Sequence, residues 1–183
     1  MKPKKTLKIF GLLIAMIFIS ACFSEKKTFL NEFKEGNSKM LVCSVHVLTN
    51  EESTYDESSA VKIVDFINEK SYAKAEYTDL LPPANNEWRI NEAKILTESI
   101  KLFIDYINTQ NIETDTYILY VEFLKSGETP SVWAVHYCLL NNEGKIAMRG
   151  LLNSKWEAFQ DINPKTNSDC VEVFKIDFEE KMN

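Results

Sequence analysis

The side chains best placed to do chemistry lie in three consecutive strand-like runs, Tyr117 to Leu124, Ser131 to Leu140 and Lys145 to Leu152. Strand side chains alternate between two faces. Tyr120 and Glu122 therefore share a face of the first run, Ala134, His136 and Cys138 a face of the second, and Ala147, Arg149 and Leu151 a face of the third. If these faces coincide, Glu122, His136 and Arg149 form a polar row beside Tyr120, with Trp133, Val135, Tyr137, Ile146 and Met148 directed into the core. One reading is a site for a small ligand or substrate, in which Glu122 orients the His136 ring and Arg149 holds an anion. The other is a cross-strand charge row on the solvated side of the sheet, each pair contributing ~0.2–1 kcal/mol. Because antiparallel sheets commonly expose one face, the second is favoured. His136 and Cys138 also have the i, i+2 spacing of a metal or thiol pair, but no third ligand accompanies them.

The missing motifs narrow the chemistry further. After residue 21 the glycines are Gly36, Gly127, Gly144 and Gly150, which leaves no P-loop, dinucleotide fingerprint or G-x-S-x-G elbow. The two histidines, His46 and His136, carry no H-E-x-x-H pattern, and no C-x-x-C is present. Neither a cofactor nor a resident metal is expected, and an enzyme is the less favoured reading. The acidic stretch with Glu51, Glu52, Asp56 and Glu57 lacks the oxygen periodicity and turn glycine of a calcium loop and reads as a solvated loop. Nucleic acid is excluded as a partner by charge. There are 21 Lys and Arg against 27 Asp and Glu, and losing the four lysines among residues 1–8 takes the formal charge from −6 to −10.

The elements that must position these residues follow from hydrophobic periodicity. The chain has 183 residues, 45% hydrophobic, which suffices for one core and is short for two domains. Met40 to Leu48 reads as a buried central strand, and the acidic stretch after it as a loop with helix-capping candidates Asp56 and Ser58. Ala60, Val61, Ile63, Val64 and Ile67 predict an amphipathic helix ending near Lys70 to Tyr72. A short strand is expected around Ala75 to Thr78, before Pro82-Pro83. Ala93, Leu96, Ile100, Phe103, Ile104 and Ile107 predict a second helix with its exit at Asn111. The three runs named first, joined by Gly127 with Pro130 and by Asn141-Asn142-Glu143-Gly144, read as an antiparallel meander. The last segment satisfies both periods, with Phe174, Ile176 and Phe178 alternating; the cap cluster Asn167, Ser168 and Asp169 favours a helix. The expected fold is α/β, bordering on α+β. It has a mixed sheet of about four or five strands, ends in the meander, and carries helices packed on it. Cys43 and Cys138 read as small buried hydrophobes, and with Cys170 they leave room for at most one internal disulfide.

The amino-terminal segment gives an address. Lys2, Lys4, Lys5 and Lys8 precede an apolar run of 11 residues from Ile9 to Ile19, followed by Ser20 and Ala21. This is signal-peptide patterning, since the run covers only about half of a ~30 Å hydrocarbon core. Ile19-Ser20-Ala21-Cys22 resembles the lipobox of bacterial lipoproteins. The resemblance implies cleavage before Cys22 and diacylglyceryl attachment to its sulfur, with residues 1–21 as signal, 22–39 as a polar tether and 40–183 as one domain. Placement in the cell envelope follows, at the outer membrane where the source has two. Anchoring by two or three acyl chains is firm, at ~0.8 kcal/mol per buried methylene. A second resemblance rests on Asp115-Thr116-Tyr117-Ile118-Leu119-Tyr120-Val121-Glu122, the run Val135 to Leu140 and the turn Asn142-Glu143-Gly144-Lys145. In element order these are similar to TolB amino-terminal-like domains and to the lipoproteins that activate penicillin-binding proteins. That likeness implies a non-catalytic module docking on an envelope protein.

Overall fold

The computed structural model describes residues 30–31, 33–34, 38–83, 91–129 and 131–183. The expected signal segment, Cys22, Arg89, Pro130 and most of the expected tether lie outside them. Phe33, inside that expected tether, is buried and meets the Tyr117 ring edge-on at 5.0 Å.

The expected first strand is interrupted by one residue. β1 (Lys39–Cys43) and β2 (Val45–Leu48) run on either side of Ser44, both parallel to the long β5 (Thr116–Lys125). Val42 lies opposite Leu119 but His46 lies opposite Glu122, so four steps on one strand match three on the other. This is a bulge, and it inverts the alternation of side chains. Met40 and Val42 before it, and Val45 and Val47 after it, all reach the same core. His46 is thereby turned onto the opposite face. The spare residue, Ser44, is itself buried and hydrogen-bonds the Tyr77 hydroxyl at 2.8 Å.

Part of the expected acidic loop is a strand. β3 (Ser53–Asp56) pairs antiparallel with β2, and Asp56 then caps α1 (Glu57–Glu69) by accepting from the Ser59 amide at 3.1 Å. β4 (Lys74–Thr78) follows and pairs parallel with β1, so β3 and β4 share one edge of the sheet. α2 (Glu92–Ile107) starts at its cap Asn91 and ends at Asn108, earlier than the expected exit at Asn111. β5, β6 (Val132–Asn141) and β7 (Ile146–Asn153) form the expected meander. A short α3 (Glu157–Ile162) precedes α4 (Asn167–Met182), which confirms the helical reading of the last segment. Its capping box pairs Thr166 with Asp169, two oxygens that satisfy amides no helical carbonyl reaches.

The fold is α/β, a mixed sheet with helices packed on it, as expected, but the helices cover both faces. It has seven strands instead of four or five, because of the split first strand and β3. One face carries α1 and α4 over a core of Leu119, Val121, Phe123, Val135, Tyr137 and their neighbours. The other carries α2, whose Leu96, Ile100 and Phe103 pack on Ile118, Tyr120, Cys138 and Leu140. Cover on both faces explains why the strands are nearly continuous apolar runs. Two details of the meander differ from simple alternation. Trp133 is 39% exposed. A register shift between Leu139 and Leu140 sends Ile146 to the α2 face and Ala147 to the α1 and α4 face.

Candidate functional site

The polar residues of the meander come together, but beneath α2 and not on a solvated face. The expectation of an exposed charge row is overturned: Glu122 and His136 are fully buried, Tyr120 nearly so. Sequence alternation correctly placed them on one side of the sheet. It did not show that a helix covers that side.

Strand register aligns Tyr55 (β3), His46 (β2), Glu122 (β5), His136 (β6) and Leu151 (β7) in one row across the sheet. Glu122 is the hub. Its Oε2 accepts from the Tyr120 hydroxyl at 2.6 Å, from the Ser99 hydroxyl of α2 at 2.9 Å and from His46 Nδ1 at 3.2 Å. Its Oε1 accepts from His136 Nδ1 at 3.2 Å. His46 Nδ1 also lies 3.1 Å from the Tyr120 oxygen, and its Nε2 lies 2.6 Å from Ser53 Oγ. The Tyr55 ring covers His46 at 5.5 Å between centroids. His136 Nε2, by contrast, has no hydrogen-bond partner among the described residues.

Burial alone would raise the Glu122 pKa; the hydrogen bonds from His136 and His46, with the electrostatic attraction of the two rings, more than offset it and hold the carboxyl well below its usual range. Tyr120 is pushed far up, first by burial and then by the Glu122 charge. The hub is thus an ionised carboxylate with four donors, a saturated arrangement that fixes ring orientations and ties α2 to three strands. None of Glu122, His46, His136, Tyr120 and Ser99 is more than 2% exposed, so a substrate meets none of their polar atoms. The half-buried Ser53 leads outward to a surface hollow of about 290 Å³ lined by Leu48 to Ser53.

Arg149 does not join the hub. It is exposed on β7 and lies opposite Cys138, with Leu151 opposite His136. Burial pushes the Cys138 thiol up to about 12, which removes it as a nucleophile near neutral pH. No group of three or more His, Cys, Asp or Glu among the described residues is arranged to hold a metal ion. Cys43, Cys138 and Cys170 are free thiols, so the one disulfide the sequence allowed is not formed.

His46, Ser99 and Ser53 were not anticipated. Their signal was present: a histidine inside the β-branched run MLVCSVHVL, and a serine on the apolar side of the second helix, each needs a buried partner. Glu122, inside the equally apolar YILYVEFL, offers one.

The fold and hub together define a mixed-sheet α/β domain organised around an internal carboxylate–imidazole cluster. No family model matches the chain, and no curated protein is significantly similar to it.

Proposed function

We propose that this chain is an exported lipoprotein, held in the cell envelope by acyl chains on Cys22, whose domain serves as a non-enzymatic binding module for another envelope component. The observation that carries the reading is the run of basic residues, apolar segment and Ile19-Ser20-Ala21-Cys22 at the amino terminus. Two features of the domain accord with it. Among the described residues no helix is long and apolar enough to cross a membrane, which is compatible with attachment through lipid. The cluster with the most reactive side chains is sealed beneath α2 and serves packing. The net negative charge keeps the domain off anionic headgroups. The resemblance in element order to envelope docking modules points the same way.

Intact mass of the membrane-purified protein tests the anchor. The expected species begins at Cys22 and carries a diacylglyceryl group, and Cys22→Ser moves the protein out of the membrane fraction. Equal membrane retention of Cys22→Ser would overturn the anchor. Affinity purification from crosslinked envelopes tests the module, and the absence of any reproducible partner would count against it.

A further inference from the structure

A concavity with a mixed polar and aromatic lining lies between the start of α2 and the end of β7. It is a groove of about 720 Å³, within the ~300–1,000 Å³ usual for small-molecule sites. Asn91 and Glu92 form one wall, and Asn153, Lys155 and Trp156 the other. Its width is fixed by a tie between the walls, because the Asn153 amide donates to Glu92 Oε2 at 2.5 Å. Asn153 is buried, and its Oδ1 also accepts from the Lys155 amide at 3.0 Å, which locks the corner that carries Lys155 and Trp156. Leu151, which with Asn153 lines the groove from β7, is the ladder partner of His136. His136, whose buried Nε2 has no hydrogen-bond partner among the described residues, therefore sits on the strand beside this wall.

The chemistry of the lining selects among ligands. A carboxylate and an ammonium line the same space, so a ligand with net charge of either sign gains from one of them and loses to the other. A neutral ligand with many hydroxyls suits both: its O–H groups donate to Glu92, its oxygens accept from Lys155 and from the Asn91 amide, and its C–H face lies on the half-buried Trp156 ring. We propose that this groove binds a neutral oligosaccharide, with Glu92, Lys155 and Trp156 as its recognition groups. The site does not depend on the lipid anchor, and Cys22→Ser leaves saccharide binding unchanged.

The test uses the full chain in a detergent without a sugar headgroup, titrated with maltotriose, cellotriose and the trisaccharide of N-acetylglucosamine, with calorimetric readout. At least one is expected to bind saturably. Lys155→Ala, an exposed position, is expected to weaken binding at least tenfold. Ala93→Arg, which fills the groove from the exposed side of α2, is expected to abolish it while leaving the melting temperature unchanged. Lack of binding by all three saccharides, or binding that survives Ala93→Arg, overturns the proposal. Binding of a zwitterionic dipeptide in place of every saccharide overturns it in favour of a peptide site.

Discussion

Glu122 is the residue on which the interior depends, and its ionisation makes stability depend on pH in a definite direction. In the unfolded chain the carboxyl titrates near its ordinary value of 4.5, whereas in the folded protein its pKa is lowered, burial being outweighed by the two imidazoles. Above pH 4.5 the stabilisation is fully present. As pH falls below that value the unfolded state takes up a proton that the native state refuses, and stability is lost until the folded carboxyl also titrates. Urea midpoints measured from pH 6 to pH 3 are therefore expected to fall steeply on the acid side. Glu122→Gln removes this slope and leaves four donors around a group that cannot accept them all; the expected loss near neutral pH is about 1–3 kcal/mol, the cost of leaving buried hydrogen-bonding groups unsatisfied. A Glu122→Gln protein with unchanged stability and an unchanged acid slope would show that the hub does not hold α2 to the sheet. His46 shows why such a residue escapes sequence reading. Its partner lies 76 residues away on a parallel neighbour, and its facing depends on a one-residue bulge at Ser44 that no local pattern announces.

At the scale of elements, the legible parts were those whose period is long and unbroken. α1 and α2 followed from the i, i+3, i+4 spacing of Ile63 with Ile67 and of Leu96, Ile100 and Phe103, and the meander from its turns. What could not be read was decided by contacts distant in sequence: β3 exists because β2 offers it an edge, and the α2 face of the meander is dry because a helix comes to lie there. The packing of β7 makes a sharper demand. Gly150 sits opposite Tyr137, and a Cβ placed on it would overlap the tyrosine ring. That ring cannot move freely, since its hydroxyl donates to Asp177 at 2.6 Å and Lys181 lies 2.9 Å from the same oxygen. Gly150→Ala is thus expected to destabilise the protein at the upper end of the ~1–3 kcal/mol typical of overpacking. Chemical denaturation reads this directly, and a loss below 0.5 kcal/mol would mean that the α4 contact yields easily.

The two layers of the whole molecule share one central strand. Along β5 Leu119 and Val121 belong to the core under α1 and α4, while Ile118 and Tyr120 belong to the core under α2, so neither layer opens without disturbing the strand that supports the other. The thiols report on both layers: Cys43 and Cys138 lie on the α2 side, and Cys170 lies on α4. All three are buried, and desolvation pushes each up to about 12, so in the native protein they are both inaccessible and protonated. Alkylation therefore requires opening. With the layers coupled through β5, and α4 fastened to β6 by the hydrogen bond from the Tyr137 hydroxyl to Asp177 at 2.6 Å, iodoacetamide at pH 8 is expected to label the three thiols at one common slow rate. Peptide-resolved mass spectrometry measures the rates separately, and dithiothreitol leaves the melting temperature unchanged because no disulfide contributes. Labelling of Cys170 at least tenfold faster than Cys43 and Cys138 would show that α4 detaches by itself, and that the fold is two layers joined in series instead of one cooperative unit.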